Sequence, residues 1–173
     1  DLERYEEAEA AYEQALECDD VWIASIRLNQ AILAERRGRA EKALELLDEA
    51  DDPHLHLEAT GCRIACLKSL DRTDEARSLA EQTLAEGQDE ELHGDTLASI
   101  AALLGQIRLA AGEDKAPLRD MAYRWLCVDP GSEAILDLLR NVEGRFAEQL
   151  RYYRLLLHAE IPDNHPLSAE AVG

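Results

Sequence analysis

The sequence predicts an all-α protein built from repeated antiparallel helix pairs. Apolar residues make up 46% of its 173 residues and are mainly Leu and Ala, with only five Tyr, two Trp and one Phe. Helix-forming residues therefore dominate, whereas the β-branched and aromatic residues that favour strands are few. A spacing of three, four and three residues also recurs along the chain, and this spacing places four side chains on one helix face.

Five groups of four residues, which we call quartets, show this spacing. Small side chains let a neighbouring helix approach, while the large ones fill the adjoining gaps. We therefore expect the quartets to pack between helices and not to form a chemical site. The quartets are Tyr5, Ala8, Tyr12 and Ala15; Ala40, Ala43, Leu47 and Ala50; Thr73, Ala76, Ala80 and Thr83; Lys115, Leu118, Ala122 and Trp125; and Phe146, Gln149, Tyr153 and Leu156.

Turn residues precede four of the quartets. Gly38 and Gly144 lie two residues before theirs, where a tight turn between paired helices favours a positive φ. Asp71 takes the same place before the third quartet, and Gly112 precedes the fourth by one residue more. We therefore expect a helix pair to turn at each of these positions.

The pattern resembles the tetratricopeptide repeat family, whose unit is a helix pair of about 34 residues. Leu104 and Gly105 match the first-helix half of the family signature, and the stretch from Tyr5 to Leu16 matches the second-helix half. The resemblance covers residues 1–160 and implies a right-handed superhelix of antiparallel helix pairs, an α-α solenoid of about 4.5 repeats. The second helices are expected near 2–18, 39–51, 72–86, 114–128 and 145–160.

The repeats are unequal in length. Successive quartets begin at 5, 40, 73, 115 and 146, so the steps are 35, 33, 42 and 31 residues. We attribute the long step to a polar, lengthened helix connection at 86–95, and we interpret residues 161–173, with Pro162 and Pro166, as a C-terminal tail. Residues 2–16 match a second helix that no first helix precedes, so we expect the chain to be part of a longer protein.

Charge excludes some partners. The chain carries 37 acidic and 18 basic residues, a formal net charge of -19. Such a field repels nucleic-acid phosphates and anionic membranes, so we expect neither as a partner. Two interpretations stay open, because the acidic surface either only solubilises the protein or attracts a basic partner. We expect a cytoplasmic location, with the four cysteines as buried free thiols in a reducing compartment.

The resemblance also implies a ligand site. In this family, ligands commonly lie in a concave groove lined by the first helix of each pair. One subgroup binds terminal carboxylates through cations, but Glu58 and Cys62 stand where a cation is needed, which argues against that ligand. Alternatively, Leu28, Ile32 and Leu109 only pack between repeats. The groove positions in this chain are Ser25, Leu28, Ile32 and Glu35; Glu58, Ala65 and Lys68; and Ser99, Ala102, Gln106 and Leu109.

One set of residues has the donor types of a zinc site. His54 and His56 precede Cys62 and Cys66, which are four residues apart and would share a helix face. The spacing matches no zinc finger or ribbon. The competing interpretation is a core cysteine pair with two surface histidines, and we expect no bound metal or other cofactor.

The sequence favours binding over catalysis, because it has no phosphate-binding loop, dinucleotide fingerprint, nucleophile elbow or H-E-x-x-H motif. The first hypothesis is an interaction or scaffolding module that holds a peptide or partner subunit in the groove. The alternative is a regulatory or substrate-recruiting segment of a larger enzyme or bacterial transcription regulator. A third possibility is self-association through the incomplete first repeat.

Overall fold

The structure is a computed structural model that describes residues 2–17, 22–50, 52–86 and 90–143. In these ranges the chain forms eight α-helices and a short 3₁₀ helix, Pro53–Leu55, with no strand. The prediction of an all-α protein is therefore confirmed for this part of the chain. The α-helices are α1 (Leu2–Ala15), α2 (Ile23–Arg36), α3 (Ala40–Glu49), α4 (His56–Ser69), α5 (Thr73–Ala85), α6 (Glu90–Ala110), α7 (Lys115–Val128) and α8 (Glu133–Glu143).

The helices pack in a regular order. Each helix contacts the next one along the chain, and in addition α2 contacts α4, α4 contacts α6, and α6 contacts α8. Within the described residues, α3, α5 and α7 make no such contact with one another. The even-numbered helices thus form one layer, and α3, α5 and α7 each pack against two of its members.

Two clusters of buried side chains hold these layers together. One cluster joins α2, α3 and α4 through residues such as Ala31, Ala43 and Cys66. The other extends from α4 to α8 and includes Ile64 and Trp125. Helix α4 contributes to both clusters, so each buried surface is shared between neighbouring helices and no single core spans the whole described chain.

The quartets on α3, α5 and α7 face these cores. On α3, Ala40, Ala43, Leu47 and Ala50 are all buried. In the next two second helices the leading residues, Thr73 and Lys115, are exposed, whereas the other three of each quartet are buried. The quartet on α1 is half-buried, and the quartet that begins at Phe146 lies outside the described residues. Helices α3, α5 and α7 lie where second helices were expected near 39–51, 72–86 and 114–128.

Three helix pairs turn in the same way. Gly38, Asp71 and Gly112 have φ values of 72°, 56° and 78°. The residue after each of them donates its backbone N–H to a carbonyl five residues back, as in Arg39 to Ala34 (2.9 Å), and the Asp71 and Gly112 turns repeat this bond. This is the Schellman motif, which satisfies carbonyls at a helix end through a residue in the left-handed region.

Asp71 lacks the conformational freedom of the two glycines. We expect Asp71→Gly to raise the free energy of unfolding by up to about 1 kcal/mol, because a Cβ is disfavoured at this φ. Urea denaturation followed by far-UV circular dichroism measures the change. Ser78→Gly, on the exposed side of α5, is the control and should lower stability by about 1 kcal/mol. Equal losses in the two variants would contradict a strained turn at Asp71.

The expected long connection at 86–95 differs in the structure. Helix α6 begins at Glu90 and is 21 residues long, with a kink at His93, where φ is −123° and ψ is 18°. Most of the additional length of this repeat is therefore helical. The helix 145–160 and the tail 161–173 lie outside the described residues.

Helix α1 packs only on α2 among the described helices. Glu9 joins it to the turn between α2 and α3, because its carboxylate lies 2.6 Å from Arg37 Nη1 and 3.1 Å from Arg39 Nη1. The Arg37 guanidinium also lies over the Tyr5 ring, 6.0 Å from its centroid. In the part of the chain that is described, no helix combines the length and apolar character that a membrane span needs.

Candidate functional site

A cleft of about 460 Å³ opens on the layer formed by the even-numbered helices. Helices α2, α4 and α6 and the segment at the start of α8 all contribute lining residues. The lining combines apolar, hydroxyl and acidic groups. The residues are Ile32, Glu35 and Arg36 of α2; Glu58, Gly61 and Cys62 of α4; Asp95, Thr96, Ser99 and Leu103 of α6; and Asp129, Ser132, Glu133 and Ala134 at the start of α8.

Four of the predicted groove residues meet in this cleft. Ile32 and Glu35 come from α2, Glu58 from α4 and Ser99 from α6. Ser99 is exposed and the other three are half-buried. Three different helix pairs therefore supply groove positions to one cavity.

Two predicted groove residues belong to the core instead. Leu28 is 5% exposed and packs in the cluster of α2, α3 and α4, and Ala102 is 1% exposed in the cluster of α4 to α8. Neither residue lines the cleft, because the first helices pack against neighbours on more than one side. For Leu28 the alternative interpretation, packing between repeats, describes the structure.

The remaining predicted residues do not belong to the cleft lining. Lys68 Nζ donates a hydrogen bond of 2.6 Å to Gln106 Oε1, so the pair links α4 to α6. Leu109 packs partly buried against the larger core cluster. Ser25 and Ala65 are half-buried and do not belong to the cleft lining.

Sequence reasoning missed the contribution of residues 129–134. Asp129 Oδ1 accepts a hydrogen bond of 2.8 Å from the Gly131 N–H, and Ser132 Oγ accepts one of 3.4 Å from the Ile135 N–H at the start of α8. These bonds hold the turn that contributes to the cleft lining. An Asp-Pro-Gly-Ser sequence signals a turn before a helix, but it does not reveal that the turn reaches α2 and α4.

Negative charge dominates the cleft. Its described lining contains five carboxylates, those of Glu35, Glu58, Asp95, Asp129 and Glu133, against the single guanidinium of Arg36. Oε2 of Glu58 is buried and has no hydrogen-bond partner among the described residues. A buried carboxylate oxygen without a partner is unfavourable.

The cysteine pair lies beside these carboxylates. Cys62 donates a hydrogen bond to Cys66, and this bond together with burial raises the pKa of Cys62, to which the charge of Glu35 adds. Cys62 lines the cleft as a neutral thiol, whereas Cys66 is fully buried. The expectation of buried thiols does not hold for Cys127, which is exposed, and the side chain of Cys18 lies outside the described residues.

The structure does not assemble the candidate zinc ligands. His54 and His56 are exposed, and His56 lines a different pocket with Asp48 and Arg63. Cys66 packs in the core of α2, α3 and α4. Among the described residues, no three His, Cys, Asp or Glu side chains are placed to hold one metal ion.

Comparison with known proteins gives no match to a family model, to a curated protein or to a solved structure. The geometry of the cleft therefore carries the functional proposal.

Proposed function

We propose that this chain is a protein-interaction module that holds an extended peptide, or an extended segment of a partner subunit, in the cleft. The observation that carries the proposal is that α2, α4, α6 and the start of α8 all contribute to one cavity. Its volume of about 460 Å³ lies in the range of ligand pockets. A cavity shared by successive helix pairs suits a ligand that runs across them.

We further propose a right-handed superhelix of the tetratricopeptide type. Three observations support it: the Schellman turns at Gly38, Asp71 and Gly112, the buried quartets of the second helices, and the contacts between successive even-numbered helices. In such a solenoid each unit buries its apolar face only against neighbours, and the stacked first helices leave one surface open to ligands.

The side chains that line the cleft are better suited to binding a ligand than to catalysis. Hydrolytic and acid–base catalysis by side chains commonly uses a histidine or an activated nucleophile beside its base. The described lining contains no histidine, and its thiol, Cys62, has a raised pKa. Carboxylates, hydroxyls and apolar side chains can hold and orient a peptide without any chemical step.

Selection from a random displayed peptide library tests the proposal, and Ser99 offers the decisive variant. Ser99→Trp places an indole in the cleft. We therefore expect this variant to bind the selected peptides about tenfold or more weakly, as loss of a buried contact region does. Fluorescence anisotropy with labelled peptides measures the affinity. Ser78→Trp is the matched control, because Ser78 is also exposed but lies on α5 and does not line the cleft.

Two results would overturn the cleft as the binding site. One is a selection that enriches no peptide. The other is a set of enriched peptides that bind Ser99→Trp as tightly as they bind the unaltered protein. Circular dichroism of both tryptophan variants establishes that each keeps its helical content.

A further inference from the structure

Two thiols of α4 lie next to each other at the wall of the cleft. Cys62 and Cys66 are four residues apart in this helix, so their side chains share one helix face. Cys62 lines the cleft, whereas Cys66 is fully buried in the cluster of α2, α3 and α4. The Cys62 thiol donates a hydrogen bond to the Cys66 sulfur. A small reagent in the cleft can therefore reach the first thiol, which is in contact with the second.

We propose that Cys62 and Cys66 are a redox-active pair, which a peroxide entering the cleft converts to an intramolecular disulfide that distorts α4. This inference goes beyond the proposed function and does not rest on it. In a reducing compartment, the disulfides that do form are mostly transient and serve catalysis or redox sensing. A thiol at an opening with a second thiol beside it is the arrangement that redox-sensing cysteines commonly use.

The reaction balances with one hydrogen peroxide for each disulfide. The Cys62 sulfur attacks a peroxide oxygen, so an S–O bond forms and the O–O bond breaks. The departing hydroxide takes up the thiol proton, which leaves a sulfenic acid and one water. The Cys66 sulfur then attacks the Cys62 sulfur, so the S–S bond forms and the S–O bond breaks, and the Cys66 proton leaves in a second water. The two thiols lose two electrons, and these reduce the peroxide.

The hydrogen bond between the thiols affects both steps. Together with burial it raises the pKa of Cys62, so few Cys62 thiolates form and the first attack is slow. The same bond lowers the pKa of Cys66 although burial opposes the change, which favours Cys66 as the attacking thiolate of the second step. The pair therefore requires a sustained supply of peroxide.

The disulfide cannot form without a change in α4. Side chains four residues apart on a helix have Cβ atoms about 5–6 Å apart, whereas a disulfide needs about 3.5–4.5 Å, so the turn must tighten by roughly 1–2 Å. The Cα atoms are about 6 Å apart at this helical spacing, a separation that a disulfide can span. Tightening strains the backbone hydrogen bonds of the turn, and a strained disulfide is readily reduced again. Because α4 contributes to both core clusters, the distortion acts on both.

Peptide mapping tests the proposal, because each of the four cysteines lies in a different tryptic peptide. Cleavage at Arg63 places Cys62 in peptide 43–63 and Cys66 in peptide 64–68. We expect treatment with excess hydrogen peroxide, followed by alkylation of free thiols and digestion, to yield these two peptides joined by a disulfide. Dithiothreitol should separate them again and restore both thiols.

Incomplete cleavage does not obscure the result. An uncut peptide 43–68 that lacks two hydrogens reports the same bond. A gel run without reductant should show the linked protein as a monomer, which establishes that the bond lies within one chain.

Cys62→Ser is the matched control, because it removes the accessible thiol and introduces a side chain of similar size. This variant should yield no linked pair, and its Cys66 should stay reduced under the same treatment. Cys127, which is exposed on α7, is the internal control for general thiol oxidation. Recovery of Cys62 and Cys66 as alkylated thiols after Cys127 has been oxidised would overturn the proposal. A linked pair found only in a dimer, or Cys62 oxidised to a sulfinic acid without linkage, would also overturn it.

Hydrogen exchange measured by mass spectrometry tests the distortion of α4. We expect the α4 amides to exchange faster in the linked protein than in the reduced protein, because the tightened turn weakens helical hydrogen bonds. Cys62→Ser taken through the same peroxide treatment controls for oxidation of other side chains, such as Met121, and its α4 amides should exchange as before treatment. Unchanged exchange of α4 in the linked protein would overturn the distortion. Neither measurement uses a peptide, so their results are independent of the proposed function.

Discussion

Trp125→Ala is expected to lower the free energy of unfolding by about 3–5 kcal/mol, the cost of removing a large aromatic side chain from a packed core. Trp125 is 3% exposed on α7 and belongs to the cluster that joins α4 to α8. It is the last residue of the fourth quartet, where we predict the large side chain to fill the gap beside Ala122. The cavity that the variant leaves cannot collapse completely, because α6 and α8 pack against α7 and hold it open.

The chain contains its own control for this substitution. Trp22, the other tryptophan, is 52% exposed, and its Nε1 donates a hydrogen bond of 3.0 Å to Asp52 Oδ2. Trp22→Ala should therefore lower the free energy of unfolding by about 1 kcal/mol or less, the contribution of a surface contact and one exposed hydrogen bond. Urea denaturation monitored by circular dichroism gives both values, and similar losses in the two variants would contradict the packing of α7.

Gly105 and Leu138 should show strong energetic coupling. A Cβ at Gly105 would overlap Leu138 Cδ2 of α8 and lie 3.0 Å from Met121 Cε of α7. Leu138 is fully buried, so it cannot move aside freely. We expect overpacking in Gly105→Ala to lower the free energy of unfolding by about 1–3 kcal/mol, a loss that the higher helix propensity of Ala reduces by about 1 kcal/mol. Leu138→Ala should lower the free energy of unfolding by about 2–5 kcal/mol.

The double variant identifies the close approach of α6 to α8 as the cause. With Leu138 shortened, the methyl group introduced by Gly105→Ala occupies space that the leucine has left, so the two losses should sum to more than the loss in the double variant. Gly61→Ala is the control, because its Cβ would lie 3.6 Å from Ile100 Cγ1, an ordinary contact. It should raise stability by up to about 1 kcal/mol. Additive losses at Gly105 and Leu138 would contradict the described packing.

The sequence predicted the second helices more fully than the first helices. Quartets such as Ala40, Ala43, Leu47 and Ala50 mark one buried face, because a second helix packs mainly on one side and therefore shows a clear period. The turns were also predictable, since few residues adopt a positive φ. Asp71 was identified there by its place relative to the third quartet, although it is not a glycine.

The first helices are harder to predict because they are packed on several sides. Helix α6 contacts α4, α5, α7 and α8, so apolar residues occur around most of its circumference and no single face stands out. Ala102 was therefore assigned to the groove although it is buried. The start of α6 was missed for another reason, since its polar first turn, followed by Gly94, has the composition of a loop.

The cleft was only partly predictable. Four of the positions taken from the family resemblance line it, those of Ile32, Glu35, Glu58 and Ser99. Part of its lining comes from residues 129–134, which are distant in sequence from α2 and α4. The burial of Glu58 Oε2 likewise follows from three-dimensional packing, which no local pattern encodes.

Nuclear magnetic resonance titration with a display-selected peptide tests the central claim most directly, since backbone amide shifts locate the ligand without altering the protein. We expect the largest shift changes at cleft residues on three helices or turns, represented by Gly61, Thr96 and Ser132. Amides of α3 and α5, such as those of Glu45 and Ser78, should change little. Shift changes concentrated on α3 and α5, with the cleft residues unaffected, would contradict a peptide-binding cleft on the even-numbered helices.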